Sequence, residues 1–188
     1  MSTKTIKIGN MCCNRCIIAV QKVLNDSKIK YKNVELGSAI IYETTINKNL
    51  ESNLKLAGFE LIKTKEEDVT EKIKIAIRKL FVEIKKIEFN NLDLKNYLET
   101  NVELPYKRLA EIFSQQENRS VEKYFILQRI EKVKSLIDET ELSFSEIGFK
   151  LGYNSLSHLS RQFKLIESIS MQKYRLKAKN KRKFIDKV

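Results

Sequence analysis

A chain of 188 residues with a formal net charge of +12 is long enough for one large domain or two small ones. At 42% hydrophobic and 32% charged it can bury a core, and its pI of about 9.5 suits a polyanionic partner, although most of the excess is lysine and a lysine-rich genome would leave the same balance. No apolar run approaches the ~18 residues of a membrane span, residues 1–9 lack the apolar core of a signal peptide, and the only cysteines, at 12, 13 and 16, sit too close together to frame a fold with disulfides. The expectation is a cytoplasmic protein with reduced thiols.

Residues 3–66 alternate strand and helix patterns. Thr5-Ile6-Lys7-Ile8 alternates like a strand, and Cys16 to Leu24 spaces Ile17, Val20, Val23 and Leu24 like one face of a helix. Tyr31 to Leu36 and Ala39 to Ile46 read as strands around a Gly37-Ser38 turn. Leu50 to Ala57 reads as a helix stopped by Gly58, and Phe59 to Ile62 as a last strand. The order is βαββαβ, the ferredoxin-like layout, so the predicted fold class is an α+β domain over 1–66 followed by an all-α domain over 67–188. Glu66-Glu67-Asp68 marks the expected boundary and hinge, with Thr70, Glu71 and Asp68 at the start of a long amphipathic helix, Val69 to Ile87.

Beyond it a stretch of the chain occurs twice, fifty residues apart and without a gap. Leu92, Leu109, Phe113, Ser120, Lys123 and Tyr124 align with Leu142, Leu159, Phe163, Ser170, Lys173 and Tyr174. Each copy reads as helix, turn, helix and third helix, a helix-turn-helix layout whose second helix is shaped for the DNA major groove. A continuous helix, Val121 to Ile137, joins the copies; at 1.5 Å per residue it spans about 25 Å, enough to hold two recognition helices roughly one DNA turn apart.

In the second copy Ser143 and Glu146 have capping-box spacing, Leu142, Ile147 and Leu151 face inward, and Gly148 permits close helix approach. Gly152-Tyr153 makes the turn and Asn154-Ser155 caps the next helix. Leu159 and Phe163 anchor that helix, leaving Leu156, Ser157, His158, Ser160, Arg161 and Gln162 for its outer surface. The run Leu142-Ser-Phe-Ser-Glu-Ile147, Gly152-Tyr153-Asn-Ser155, Leu159-Ser-Arg161-Gln-Phe163-Lys164 and Tyr174-Arg175 resembles the AraC/XylS family of bacterial regulators over about 70–180. Ser168 and Met171 stand where that family usually has Gly and Pro. The resemblance implies DNA contacts from Ser157, His158 and Arg161 in the second copy and from Lys107 and Arg108 in the first, with Leu156 beside them and Ser155 and Ser160 as phosphate or cap residues. Arg161 can fork onto guanine, a contact typically worth about 1–3 kcal/mol of discrimination. Glu111 occupies the register of Arg161, so the first copy is expected to position the protein more than to read sequence. The basic run Lys177 to Lys183 is read as a solvated tail or a nonspecific phosphate contact.

Met11-Cys12-Cys13-Asn14-Arg15-Cys16 opens the first helix after the first strand. Met-x-Cys-x-x-Cys in this layout resembles the heavy-metal-associated domain of copper chaperones and metal-pumping ATPases, over about 3–66. It departs at Asn10, where Gly is usual, and at Cys12, where Thr is usual. The resemblance implies Cys13 and Cys16 as metal thiolates and Met11 packed beneath the loop; Cys12 is either a third thiolate or a solvent-facing residue. Soft sulfur favours Cu(I) or another soft metal ion as cofactor. Redox sensing by the same thiols, or a relic loop, are the alternatives. A thioredoxin-like oxidoreductase would need a Trp beside the motif, which this chain lacks, and a cis-proline facing it, whereas the only proline is Pro105 in the distant helical half, so no enzyme is expected.

Together these readings describe a DNA-binding transcriptional regulator responsive to a soft metal. Its rival is a cytosolic copper carrier, or a thiol redox sensor, that uses its basic half for docking. Duplex DNA is the expected partner, with RNA polymerase a further candidate and no membrane.

Overall fold

The computed structural model describes residues 3–42, 48–82, 89 and 92–176. They fall into two compact units, residues 1–78 with 98–118 and residues 79–97 with 119–188. No helix among the described residues is long and apolar enough to cross a membrane.

The first unit begins with β1 (Lys4–Gly9), α1 (Asn14–Asp26), β2 (Tyr31–Glu35), β3 (Ser38–Ile41), α2 (Lys48–Leu56) and β4 (Glu60–Ile62). The four strands form an antiparallel sheet in the order β2-β3-β1-β4, with Lys7 paired to Ser38 on one side and Ile62 on the other. The period of two along β1 sends Ile6 and Ile8 into the core, and the helical spacing of Val20 and Leu24 on α1 and of Leu50 and Leu54 on α2 buries those residues with them. Each such side chain contributes roughly 1.5–3 kcal/mol by leaving water. The expected strand to Ile46 ends at Ile41, and residues 43–46 lie outside the described residues.

α3 (Lys65–Val82) starts earlier than its apolar spacing suggests. Thr64 Oγ1 accepts from Glu67 N–H at 3.1 Å, while a Glu67 carboxylate oxygen accepts from the N–H groups of Lys63 and Thr64 at 2.7 and 3.3 Å. This reciprocal cap corrects the expected start at Asp68 to Glu71. Glu66, Glu67 and Asp68 form the first helical turn rather than a hinge, where their charges suit the positive end of the helix dipole. Ile73, Ile77, Leu80 and Phe81 are buried as their spacing requires, whereas Ile84 and Ile87 lie outside the described residues.

α4 (Leu94–Val102) and α5 (Tyr106–Glu117) make the first copy of the repeat, α6 (Val121–Glu139) the long helix, and α7 (Phe144–Lys150) with α8 (Leu156–Glu167) the second copy. The fifty-residue register is kept to the residue. α5 and α8 begin and end fifty apart, and Asn118 and Ser168 terminate them in left-handed conformations at φ 52° and 59°. Ser120 and Ser170 then accept from the N–H groups of Lys123 and Lys173. Ser168 thus makes the same tight exit that a glycine would, and Met171 is buried after it.

In the second unit α6 buries Val121, Tyr124, Phe125, Ile130, Val133 and Ile137, and α7 and α8 pack on it through Ile147, Leu159 and Phe163. The phenyl ring of Phe81 lies 5.4 Å from that of Phe89 and 5.5 Å from that of Phe125. Gly152 has φ +69°, and a Cβ there would stand 2.7–2.8 Å from the Cβ, carbonyl carbon and oxygen of Phe89. Because two of those three atoms are backbone, the clash has no cheap relief. Gly152→Ala should therefore cost about 2 kcal/mol or more, read as a lower midpoint in urea unfolding; an unchanged midpoint would show that the turn tolerates a side chain.

Candidate nucleic-acid interface and thiol loop

The recognition surface of the second copy is set by its caps. Ser143 Oγ accepts from Glu146 N–H at 3.2 Å and a Glu146 carboxylate oxygen accepts from Ser143 N–H at 2.8 Å, the reciprocal box expected from spacing. The Ser143 hydroxyl, donating to the same carboxylate oxygen at 2.7 Å, and then the Ser143 N–H hold the Glu146 carboxyl below the usual carboxylate range. Ser155 caps α8 by accepting from His158 N–H at 3.1 Å, the capping role expected of it. The helix then exposes Ser157, His158, Ser160, Arg161 and Lys164, with Leu156 42% exposed at its start, while Leu159 and Phe163 are fully buried. The Arg161 side chain makes no hydrogen bond or ion pair among the described residues, which leaves its fork of donors available.

Gln162 does not belong to the outer surface. It is half-buried and accepts the Tyr153 hydroxyl hydrogen at 2.6 Å. Tyr153 is buried at the turn, its hydroxyl needs a partner, and Gln162, nearly two helical turns into α8, supplies it. Burial pushes the Tyr153 phenol up to about 12. The His158 ring stands edge-on to Tyr153 at 5.4 Å, so it is partly oriented by the turn.

Arginines give the second copy a frame that helical spacing does not reveal. Arg129 on α6 lies over the Tyr153 ring at 4.5 Å and donates to the Gly152 carbonyl at 3.3 Å. Arg175 lies over the Phe144 ring at 4.0 Å and donates to the Leu142 carbonyl at 2.6 Å. Lys134 on α6 bridges Glu131 at 2.6 Å and Glu167, on α8, at 3.1 Å. Arg129 and Arg175 meet rings 24 and 31 residues away in sequence, so no local spacing singles them out.

In the first copy Lys107 and Arg108 are exposed on α5, as expected. Glu111 pairs with Arg108 at 3.5 Å, so a charge of the first recognition helix is partly neutralised within that helix. Pro105 precedes α5 without a side-chain cap, and Glu99 accepts from Tyr106 N–H at 2.6 Å instead. The Lys177 to Lys183 run lies outside the described residues.

The thiol loop stands at the start of α1. Asn10, at φ +68°, turns the chain out of β1, and Met11 is fully buried beneath the loop, its sulfur accepting from Gly37 N–H at 3.4 Å. Met11 sulfur is thereby committed to the core. Cys13 is the N-cap of α1 and Cys16 sits one turn in. Cys12 Sγ is 3.5 Å and Cys13 Sγ 3.9 Å from Cys16 Sγ, and all three sulfurs lie within 4.8 Å of one another. Such a donor set fits a soft ion. The N–H groups of Cys16 and Arg15 lower the Cys13 thiol from its ordinary value, whereas burial first, then the neighbouring thiols, push Cys12 up to about 11.

The loop is tied to α3. Glu71, 5% exposed, accepts from Asn10 N–H at 3.0 Å and pairs with Arg78 at 3.7 Å, and Arg78 donates to the Met11 carbonyl at 3.1 Å. One turn along, Lys74 pairs with Glu117 at the end of α5. A cleft of about 340 Å³ opens here, lined by the acidic Glu51, Glu60, Glu67, Glu71 and Glu117 and by Lys55, Lys63 and Lys74 among others, so acidic groups outnumber basic ones.

Residues 99–177 match the family model described as a helix-turn-helix domain. No curated protein sequence matches the chain. Among solved structures, the DNA-binding domain of AdpA, a global transcriptional factor crystallised with a target DNA, aligns with 59% of this chain and 96% of its own at 15% identity and a TM-score of 0.49. The C-terminal domain of the response regulator yesN from Fusobacterium nucleatum aligns with 52% of this chain and 96% of its own at 23% identity and a TM-score of 0.43. A DNA-binding transcriptional dual regulator from Escherichia coli K-12 aligns with 58% and 94% at 13% identity and a TM-score of 0.48. The helix-turn-helix match runs from within α4 to beyond α8, and so takes in α5, α6, α7 and α8.

The thiol shifts predict an order of reactivity. A thiol reacts as its thiolate, so Cys13 should be alkylated by iodoacetamide well before Cys12 near neutral pH, and Cys12 labelling should keep rising toward pH 11. Mass-spectrometric mapping of labelling against pH reads this, and equal rates at pH 7 would contradict it.

Proposed function

We propose that this chain is a sequence-specific, DNA-binding transcriptional regulator of the AraC/XylS type, and not an enzyme. The observation that carries the reading is α8, within the segment that matches the helix-turn-helix model: a capped, well-anchored helix whose exposed polar side chains include Ser157, His158, Ser160, Arg161 and Lys164. Such a helix can enter a major groove and present hydrogen-bonding groups to base edges. The net charge of +12 supports duplex DNA as the partner. Lys107 and Arg108 on α5 serve mainly to place the protein on the backbone, since Glu111 offsets part of their charge.

Selection from random duplexes with the full chain should enrich a bipartite motif. The full chain is required because α5 belongs to the same compact unit as residues 1–78. Arg161→Ala should lose about 1–3 kcal/mol on the enriched operator and little on a scrambled duplex. Failure to enrich any motif would refute sequence-specific binding; an equal loss on both duplexes would refute base reading by Arg161.

The N-terminal sheet domain, with its βαββαβ order and thiol loop, is read as a ferredoxin-like, heavy-metal-associated-like sensor of a soft ion such as Cu(I), held by Cys13 and Cys16. The hydrogen bonds and ion pairs that link the loop to α3, and α3 to α5, support a route from the thiols to the first recognition helix. Coupling between a ligand site and DNA is typically about 5–150-fold in affinity. Glu71→Gln removes the charge that faces Arg78 while keeping an acceptor for Asn10. It should leave Cu(I) uptake stoichiometric and bring the ratio of apo to loaded operator affinity toward one. An unchanged ratio would exclude Glu71 from the route.

A further inference from the structure

We propose that Cys12 is a full ligand, so that Cys12, Cys13 and Cys16 form a single three-sulfur site for a thiophilic ion. This rests on the reading of the loop as a soft-metal site and deepens it. In an extended chain successive side chains point to opposite faces, so Cys12 beside an extended Cys13 would be expected to point away. The structure does the reverse. Asn10 adopts φ +68°, buried Met11 pins the loop from below, and Cys12 Sγ ends 3.5 Å from Cys16 Sγ, nearer than Cys13 Sγ at 3.9 Å. The Cys12 N–H also donates to Cys16 Sγ at 3.4 Å, so a backbone dipole is aimed at the same sulfur.

The spacing suits three-fold ligation. An ion with metal–sulfur bonds of about 2.3 Å at the centre of a sulfur triangle needs sulfurs about 4 Å apart. The two closest pairs, at 3.5 and 3.9 Å, lie near this, and the third lies within 4.8 Å. Cys12 and Cys13 are exposed and Cys16 half-exposed, so an ion can enter without opening the core. The Arg78 guanidinium on the Met11 carbonyl and the start of α1 place positive potential beside the thiolates. Ions that accept three thiolates, with Cu(I) and arsenite as probes, are the class this site takes.

The test counts sulfurs. Reduced full-length protein is loaded anaerobically with Cu(I), and separately with arsenite, and the first shell is measured by X-ray absorption. The expected result is three sulfurs in the full chain with either probe and two with Cu(I) in Cys12→Ser. Cys12→Ser should also weaken arsenite binding at least tenfold, with circular dichroism showing the fold retained. Two sulfurs in the full chain would overturn the three-sulfur site while leaving a two-cysteine metal loop in place. No stoichiometric uptake of either probe by the full chain would overturn the metal reading itself, and this inference with it. The wild-type sulfur count stands even if the variant fails to fold.

Discussion

A single buried carboxylate organises the first unit. Glu71 lies on the face of α3 turned to the thiol loop, where desolvation raises its pKa and Arg78, Lys74 and the Asn10 N–H oppose that rise. An unpaired buried charge would cost several kcal/mol, so Glu71 is tolerable only while Arg78 and Asn10 stay in place. That requirement holds the loop against α3: Asn10 is bound directly and Met11 through Arg78. The positions of Cys12, Cys13 and Cys16 follow, because they hang from the residues that Glu71 and Arg78 hold. The first recognition helix is joined to the same element through Lys74 and Glu117.

The two copies of the repeat show one scaffold carrying two surfaces. Their anchors are equivalent: Leu109 and Phe113 in α5, Leu159 and Phe163 in α8, all fully buried, with left-handed exits at Asn118 and Ser168. Their outer residues are not equivalent. Glu111 closes onto Arg108, whereas Arg161 in the same register stands open. Packing constrains the buried register tightly and the exposed one hardly at all, so the copies keep a common fold while their chemistry diverges. The second copy also has a brace of its own, since Arg129 stacks on Tyr153 and holds the Gly152 carbonyl. Lysine could not do the same work, because only the planar guanidinium can stack on the ring and fork its donors together.

Much of the helical half was legible from residues alone. The Ser143–Glu146 box, the Ser155 cap and the burial of Leu159 and Phe163 each depend on groups within a turn or two of one another, so spacing records them. The structure departs from simple spacing at two places, one set by a partner nine residues away and the other by a local cap that a run of charge hides. Gln162 lies on the polar side of α8 by spacing, but the buried Tyr153 hydroxyl draws it inward. Glu66 to Asp68 looked like a charged hinge, but Thr64 and Glu67 cap one another and make the run the first turn of α3.

The sequence by itself determined the repeat, its fifty-residue register, the order of strands and helices, and the residues whose period places them in the core, because these rest on contacts between near neighbours or on a period that burial imposes. Only the tertiary structure decided which distant groups meet. Glu71 finds Asn10 across sixty-one residues, and its partner there is a backbone N–H, which every residue but proline possesses and no sequence pattern marks. The direction of the Cys12 thiol was likewise undecided until Asn10 turned left-handed and buried Met11 held the loop, since in a chain of rotatable bonds a side chain points where the backbone beneath it is held.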